Sequence, residues 1–182
     1  MKFLLSLVAA FAIASTVSAQ DIMEALGRPS RLDMTPGYIS INELNVGVGA
    51  KDQNASFSGF YFGATTLHGY QINRNFSVSG GTGILMTNNR TFAPLFIDFR
   101  SNFYHAYSIS SYIFTDAGLL ADLSKDHTGV GLYLNPGAGV RYDYTDNTAF
   151  NFGIGLLMQN GTISHSMINF KFGIYFKPSK KQ

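Results

Sequence analysis

The chain has 182 residues and a formal net charge of +2, and only 13% of its residues are charged although 46% are hydrophobic. A soluble domain usually carries about 25% charged residues, and so small a net charge gives no electrostatic reason to expect a nucleic-acid partner. After the N-terminal segment, no stretch supplies the roughly 18 consecutive apolar residues of a membrane-spanning helix. The chain has no cysteine, which excludes a disulfide framework and a thiolate metal site.

Residues 1–19 have the features of a secretory signal peptide. Lys2 supplies the positive start, Phe3–Thr16 is the apolar run, and Val17-Ser18-Ala19 is a small-residue cleavage site. We expect cleavage to leave Gln20 at the mature N-terminus. Because no cysteine follows the apolar run, a lipid anchor at that position is excluded.

The next segment shows no strand periodicity. Residues 20–36 lack alternation, and Asp21 to Gly27 has the N-cap and the terminal glycine of a short helix. We expect 20–36 to be an N-terminal periplasmic segment. At the other end of the chain, 178–182 is expected to be a polar tail.

From residue 37 onward, apolar side chains alternate with polar or small ones. In the final stretch Phe170, Phe172, Ile174 and Phe176 share one face, because successive side chains of a strand point to opposite faces. Such repeated alternation, with little charge and no long apolar run, is typical of a membrane barrel. We therefore predict an all-β, eight-stranded antiparallel up-and-down transmembrane β-barrel over 37–177. The predicted strands are 38–50, 57–71, 75–88, 91–103, 108–122, 129–143, 147–159 and 163–177.

The connections alternate in character. Three tight ones (71–75, 103–107 and 143–147) are expected on the periplasmic side, where both chain ends of an even-stranded barrel also lie. The other four connections are expected outside the cell: 51–56, 88–91, 123–129 and 159–163.

Charged residues within the predicted strands fall on the face opposite the bulky apolar one. At mid-membrane a charge on the lipid face costs about 2–4 kcal/mol, so we expect these side chains to point inward and pair with one another. Eight-stranded barrels are filled by their own side chains, which leaves at most a narrow gated passage. The predicted lumen charge cluster is Glu43, Asp98, Arg100, Asp116, Arg141 and Lys171. A secreted lipocalin-like binding barrel, with the apolar face inside, is the soluble alternative.

Three stretches make the chain resemble the small outer-membrane β-barrel proteins, of the OmpA-barrel, OmpX and porin-like kind. They are Phe92-Ala-Pro-Leu-Phe-Ile-Asp-Phe-Arg100, Asn135-Pro-Gly-Ala-Gly-Val-Arg-Tyr142 and Ile168-Asn-Phe-Lys-Phe-Gly-Ile-Tyr-Phe176. The resemblance covers about 37–177 and rests on pattern rather than on a fixed motif. It implies location in the cell outer membrane, contact with its lipid and lipopolysaccharide, and insertion by the barrel-assembly machinery. That machinery recognises an aromatic-rich last strand in the family, whereas here Lys177–Gln182 follows the last aromatic residue.

Enzymes that modify lipid A also use eight-stranded barrels, and this sequence has two sets of residues that partly resemble theirs. In Ser164-His165-Ser166 the histidine and its serine neighbours lie on opposite faces of the strand, which does not fit the deacylase pattern. Ser124, Asp126 and His127 share one outer loop, as in palmitoyltransferases, but six lumen charges do not suit an acyl-binding interior.

No catalytic residue, cofactor or metal site is therefore predicted. The four histidines (His68, His105, His127 and His165) do not have the spacing of metal ligands. The sequence favours a non-enzymatic outer-membrane barrel with a structural or adhesive role, or a narrow gated channel. A lipid A acyltransferase or deacylase remains the enzymatic alternative.

Overall fold

Eight antiparallel strands form a closed barrel in the computed structural model, which describes residues 32, 34–49, 59–87, 90–106, 108–124, 129–160 and 165–178. Each strand pairs with its neighbours in the sequence, and β1 pairs with β8 to close the sheet, from Ser40–Phe176 to Gly49–Met167. This architecture confirms the predicted up-and-down barrel. The strands are β1 (Gly37–Gly49), β2 (Phe60–Gln71), β3 (Phe76–Met86), β4 (Thr91–Ala106), β5 (Ile109–Asp122), β6 (Val130–Asp143), β7 (Thr148–Asn160) and β8 (His165–Phe176).

The strand ends fall within three residues of the predicted ones, and β4 shows the clearest difference. The connection predicted at 103–107 is tight, as expected, but it begins later than predicted, because β4 continues to Ala106 and β5 begins at Ile109. Asn102 pairs with Tyr112 and Tyr104 pairs with Ser111, so Phe103 is the extra residue of a β-bulge. The extra residue interrupts the alternation of apolar and polar side chains. The alternation therefore places the end of this strand three residues before its true end at Ala106.

Two of the tight turns are held by side chains that mimic backbone acceptors. Asn73 Oδ1 accepts hydrogen bonds from the backbone N–H groups of Asn75 (2.8 Å) and Phe76 (2.9 Å). Thr145 Oγ1 accepts from the N–H groups of Asn147 (3.3 Å) and Thr148 (3.0 Å) in the same way. We call the end of the barrel that holds these turns the turn end and the opposite end the loop end.

The exterior of the barrel is apolar and the interior is polar. Leu95 is 66% exposed and Ile154 is 58% exposed, whereas Asp98 and Asp116 are 0% exposed. This orientation is the one predicted, and it is the reverse of a soluble barrel with an apolar lumen. In the part of the chain that the structure describes, no helix is long and apolar enough to cross a membrane.

The interior is layered along the barrel. Charged and amide side chains occupy the middle, and Tyr112 and Phe114 of β5 lie among them. An apolar layer follows towards the loop end, and it includes Leu157, whose position breaks the polar alternation of β7. This apolar layer consists of Tyr61, Leu85, Phe92, Phe96, Leu120, Tyr133, Leu157 and Met167.

The segment before β1 enters the mouth at the turn end. Leu32 is 4% exposed and belongs to the buried core, and Met34 packs against that core. The Lys177 ammonium donates to the carbonyl oxygen of Thr35, and Lys177 is itself only 2% exposed. Within the predicted periplasmic segment 20–36, Leu32, Met34 and Thr35 therefore contact the barrel. The signal peptide, the short helix at 21–27 and residues 179–182 lie outside the described residues.

A pair of neighbouring glycines tests how tightly the interior is filled. A Cβ on Gly81 would stand 2.5 Å from the Phe96 ring and 3.1 Å from Leu67, whereas a Cβ on Gly80 would meet nothing within 4 Å. Overpacking of a filled core typically costs about 1–3 kcal/mol. We expect Gly81→Ala to lower the free energy of unfolding by that amount in urea titrations, and Gly80→Ala to leave it unchanged. Equal losses in both variants would contradict the inward position of Gly81.

The outward face is tested by placing a charge on it. Ile154 lies in the middle of β7 and points outward, so Ile154→Lys should reduce folding free energy in lipid bilayers by about 2–4 kcal/mol. Asn75→Lys, in an exposed turn, is the matched control and should fold as the unaltered protein does. A well-tolerated Ile154→Lys would show that this face meets water.

Candidate functional site

Five of the six predicted lumen charges form one connected network. Arg100 Nη2 lies 2.7 Å from Glu43 Oε1, and Arg100 Nε lies 3.0 Å from Asp98 Oδ1. Lys171 Nζ lies 3.0 Å from Glu43 Oε2 and 2.6 Å from Asp116 Oδ2. Glu43 therefore joins the two cations, and the network links strands β1, β4, β5 and β8.

The two aspartates of this network are neighbours. Asp98 of β4 and Asp116 of β5 are direct partners in the sheet, and both are fully buried. Like charges placed directly opposite each other destabilise a sheet unless countercharges are close. Arg100 supplies the countercharge for Asp98, while Lys171 and the Asn135 amide (2.9 Å) bind Asp116. The position of Lys171 is thus a requirement for placing these acids side by side.

Aromatic rings of β5 complete the surroundings of the two cations. The Lys171 ammonium lies 4.6 Å from the centroid of the Phe114 ring, and the Arg100 guanidinium lies 5.4 Å from that of Tyr112. Cations this close to an aromatic face are attracted by the ring quadrupole, and more strongly where water is excluded. The rings therefore stabilise the cations on the sides that the carboxylates do not contact.

Arg141 points into the interior, but it does not join this network. Its Nε lies 3.1 Å from Asp143 Oδ1, two residues along the same strand, and its guanidinium lies 5.4 Å from the Tyr175 ring centroid. Nη2 also reaches Met34 Sδ of the N-terminal segment at 3.4 Å. The predicted single cluster is thus two clusters, because Arg141 lies nearer the turn end of the barrel than Arg100 does.

Asp143 and Lys177 are two further interior charges that the predicted lumen cluster does not include. Both continue the inward alternation, two residues after Arg141 and Tyr175 respectively, and both are 2% exposed. The alternation of polar and apolar residues already places both side chains on the inward face. The predicted cluster does not include them because Asp143 stands where a turn was expected to begin and Lys177 stands beside a polar tail.

Little space remains between the two ionic clusters of the described interior. Between the two ionic clusters lies a cavity of about 10 Å³, lined in part by Arg100, Tyr112, Arg141 and Asn151. A cavity of that size corresponds to about one water molecule. Beyond the larger cluster, the apolar layer fills the barrel towards the loop end.

The catalytic alternatives are not assembled in the described residues. Asp126, His127 and Ser164 lie outside them, and nothing is described of the His165 side chain. Ser124 Oγ accepts a hydrogen bond from the Thr91 backbone N–H at 3.3 Å. Buried ion pairs cross the middle of the interior.

Comparison with solved structures identifies the class of fold. Neisserial surface protein A matches with a TM-score of 0.66 and 14% identity, over 78% of this chain and 97% of that chain. The N-terminal β-barrel domain of Pseudomonas aeruginosa OprF matches with a TM-score of 0.50 and 16% identity, over 77% and 98% of the two chains. A designed transmembrane β-barrel matches with a TM-score of 0.51 and 16% identity, over 79% and 98%.

The chain thus has the fold of the eight-stranded transmembrane barrels, and the two natural proteins above are outer-membrane barrels of this kind. The predicted resemblance to small outer-membrane barrels is confirmed at the level of fold. No protein-family model matches the chain, and no curated protein matches it either.

Removing the Lys171 ammonium, which Glu43 and Asp116 share, should strongly reduce the stability of the barrel. Lys171→Met leaves Glu43 and Asp116 without their common partner in a buried site, and breaking a buried pair in this way typically costs about 3–5 kcal/mol. We expect a loss of this size in the unfolding free energy of the protein in detergent micelles.

The matched control removes one carboxylate as well. Lys171→Met combined with Asp116→Asn lowers the number of uncompensated acids and should recover part of the lost stability. If the double variant is no more stable than Lys171→Met, the contact between Lys171 and Asp116 does not hold the network together.

Proposed function

We propose that this chain is a non-enzymatic integral protein of the bacterial outer membrane, and that its barrel serves as a closed, rigid membrane anchor. The observation that carries this proposal is the contrast between the apolar outer face of the barrel and its charged interior. A belt of exposed apolar side chains surrounds an interior in which carboxylates, guanidinium groups and an ammonium form ion pairs with one another. Hydrocarbon tails suit the first surface, and only a protein interior suits the second.

The filled interior favours a structural role over transport. Conduction would require the network around Glu43 to separate and the apolar layer near the loop end to open. Eight-stranded barrels in general have room for little more than their own side chains. The gated channel is thus the less favoured function. An adhesive role would belong to the outer connections, most of whose residues lie outside the described part of the chain.

The same surface supports the proposed partners. Phe172, Ile174 and Phe176 of β8 are each exposed by 44% or more, so the last strand offers aromatic and aliphatic groups to lipid and to the assembly machinery. Outer-membrane phospholipid and lipopolysaccharide are the proposed surroundings of the belt. The tyrosines Tyr38, Tyr70 and Tyr144 are exposed close to the turn end, as interface aromatics of such barrels are.

Fractionation and gel mobility test this proposal. The protein should be found in the outer-membrane fraction, and the unboiled sample should migrate differently from the boiled one because the barrel resists detergent. In planar bilayers it should show no sustained conductance. The mass spectrum of lipid A from cells with and without the protein should be the same.

Each alternative has its own signature in these measurements. Steady single-channel steps would favour the gated channel, and a change in lipid A mass by an acyl group would favour the enzymatic alternative. Mobility unaffected by boiling would contradict the membrane barrel itself.

A further inference from the structure

The exterior of strands β1 to β3 carries polar and small side chains where the rest of the belt is mainly bulky and apolar. Two rows of direct cross-strand partners form this polar patch. One row pairs Ser40 with His68 and His68 with Gly80, and the other pairs Asn42 with Thr66 and Thr66 with Thr82. The patch consists of Ser40, Asn42, Thr66, His68, Gly80 and Thr82, and its centre is on β2.

The patch lies within the apolar belt and not at its edge. Tyr38 and Tyr70, which pair with each other, mark the interface at the turn end. Asn42 is four residues further along β1, which places it about 10 Å deeper for a tilted strand. Exposed Leu44 and Val48 continue the apolar belt beyond it towards the loop end. Hydrocarbon therefore surrounds the Asn42 amide if the barrel stands alone.

Most polar groups of the patch have partners within the barrel, but the Asn42 amide has none. The His68 ring bonds with Tyr38 Oη at 2.5 Å and with Thr66 Oγ1 at 3.2 Å. Thr82 Oγ1 donates to the Pro94 carbonyl oxygen at 3.0 Å. Among the described residues, the Asn42 side chain makes no hydrogen bond. Lipid tails offer no donor or acceptor, so only another protein surface can satisfy this amide at that depth.

The shape of this face suits a second barrel. Two cylinders standing side by side touch along a line and diverge on both sides of it. Apart from His68, the side chains at the centre are small, and bulky exposed ones stand on the flanks: Phe172 and Ile174 on β8, Leu95 and Phe99 on β4. A groove of about 650 Å³ runs between the β8 flank and the patch, and Asn42 and Ala64 line it. A low centre with raised flanks lets two such faces contact over several strands.

We propose that the polar patch is the contact surface for a second copy of this chain, related by a two-fold axis along the membrane normal that passes near Thr66. Copies inserted by the same route have the same orientation, and this axis then joins identical patches at equal depth. An amide both donates and accepts, so the Asn42 side chains and the patch hydroxyls can satisfy one another. Small residues at the contact and polar side chains that bond across it hold transmembrane helices together, and the same contacts can act between two barrels. This inference rests on the proposed membrane insertion, which the boiled and unboiled gels test separately.

Cysteine crosslinking tests the position of the axis, because the chain has no cysteine of its own. A residue close to a two-fold axis lies near its own copy, so Thr66→Cys should form a disulfide-linked dimer under oxidation in outer membranes. Ala138→Cys is the control. It also points outward, but it lies on β6, four strands from β2 in either direction round the barrel, and should remain monomeric.

Self-association tests the role of the amide without crosslinking. In sedimentation equilibrium in density-matched detergent, Asn42→Leu should raise the dimer Kd about tenfold, as expected for two lost interactions of typical membrane strength. Thr115→Val removes an outward hydroxyl on β5 and should leave the Kd unchanged. Heat-modified gel mobility confirms that each variant is folded before its association is measured.

Dimers linked through Thr66→Cys but not through Ala138→Cys, together with a weaker Asn42→Leu dimer, would support the proposal. It is overturned if the folded protein is monomeric at every concentration. Equal crosslinking at both cysteines would overturn it too, as would a dimer that Asn42→Leu leaves intact.

Discussion

The contact of Lys171 with Glu43 and Asp116 is the interaction on which the rest of the interior depends. This ammonium lies 3.0 Å and 2.6 Å from the two carboxylates, and together with the Arg100 guanidinium it allows three acids to lie in one buried layer. Replacing a buried ion pair with apolar residues is often neutral or stabilising, so the pairing by itself does not explain why the layer is ionic. Its physical consequence here is specificity rather than added stability.

That specificity concerns the register of the strands. A slip of one residue turns every side chain of a strand to the opposite face. For β8, such a slip would move Lys171 into lipid and Phe170 and Phe172 into the lumen, and the acids of β1 and β5 would lose their partner. Charges in the interior thus penalise wrong registers much more strongly than apolar residues would. The same layer also links the first and last strands, which pair to close the barrel, because Lys171 of β8 contacts Glu43 of β1.

The occlusion of the barrel follows from the same packing. The ionic layer, the apolar layer near the loop end and the N-terminal segment at the turn end occupy successive levels of one narrow interior. The polar patch on β1 to β3 is a departure from the lipid-facing belt, and a second copy of the chain accounts for it in chemical terms.

The sequence by itself determined the number of strands, their ends to within three residues and the direction of most strand side chains, because a strand has a period of two and a misplaced charge in lipid is costly. Glu43, Asp98, Arg100, Asp116, Arg141 and Lys171 could all be assigned to the interior on that basis. The bulge at Phe103 could not be predicted, because it interrupts the two-residue alternation from which the strands were predicted. Only the tertiary structure decided which charges meet. Partners such as Glu43 and Arg100 are 57 residues apart in the chain, and closure of the sheet brings them to one level while it leaves Arg141 at another.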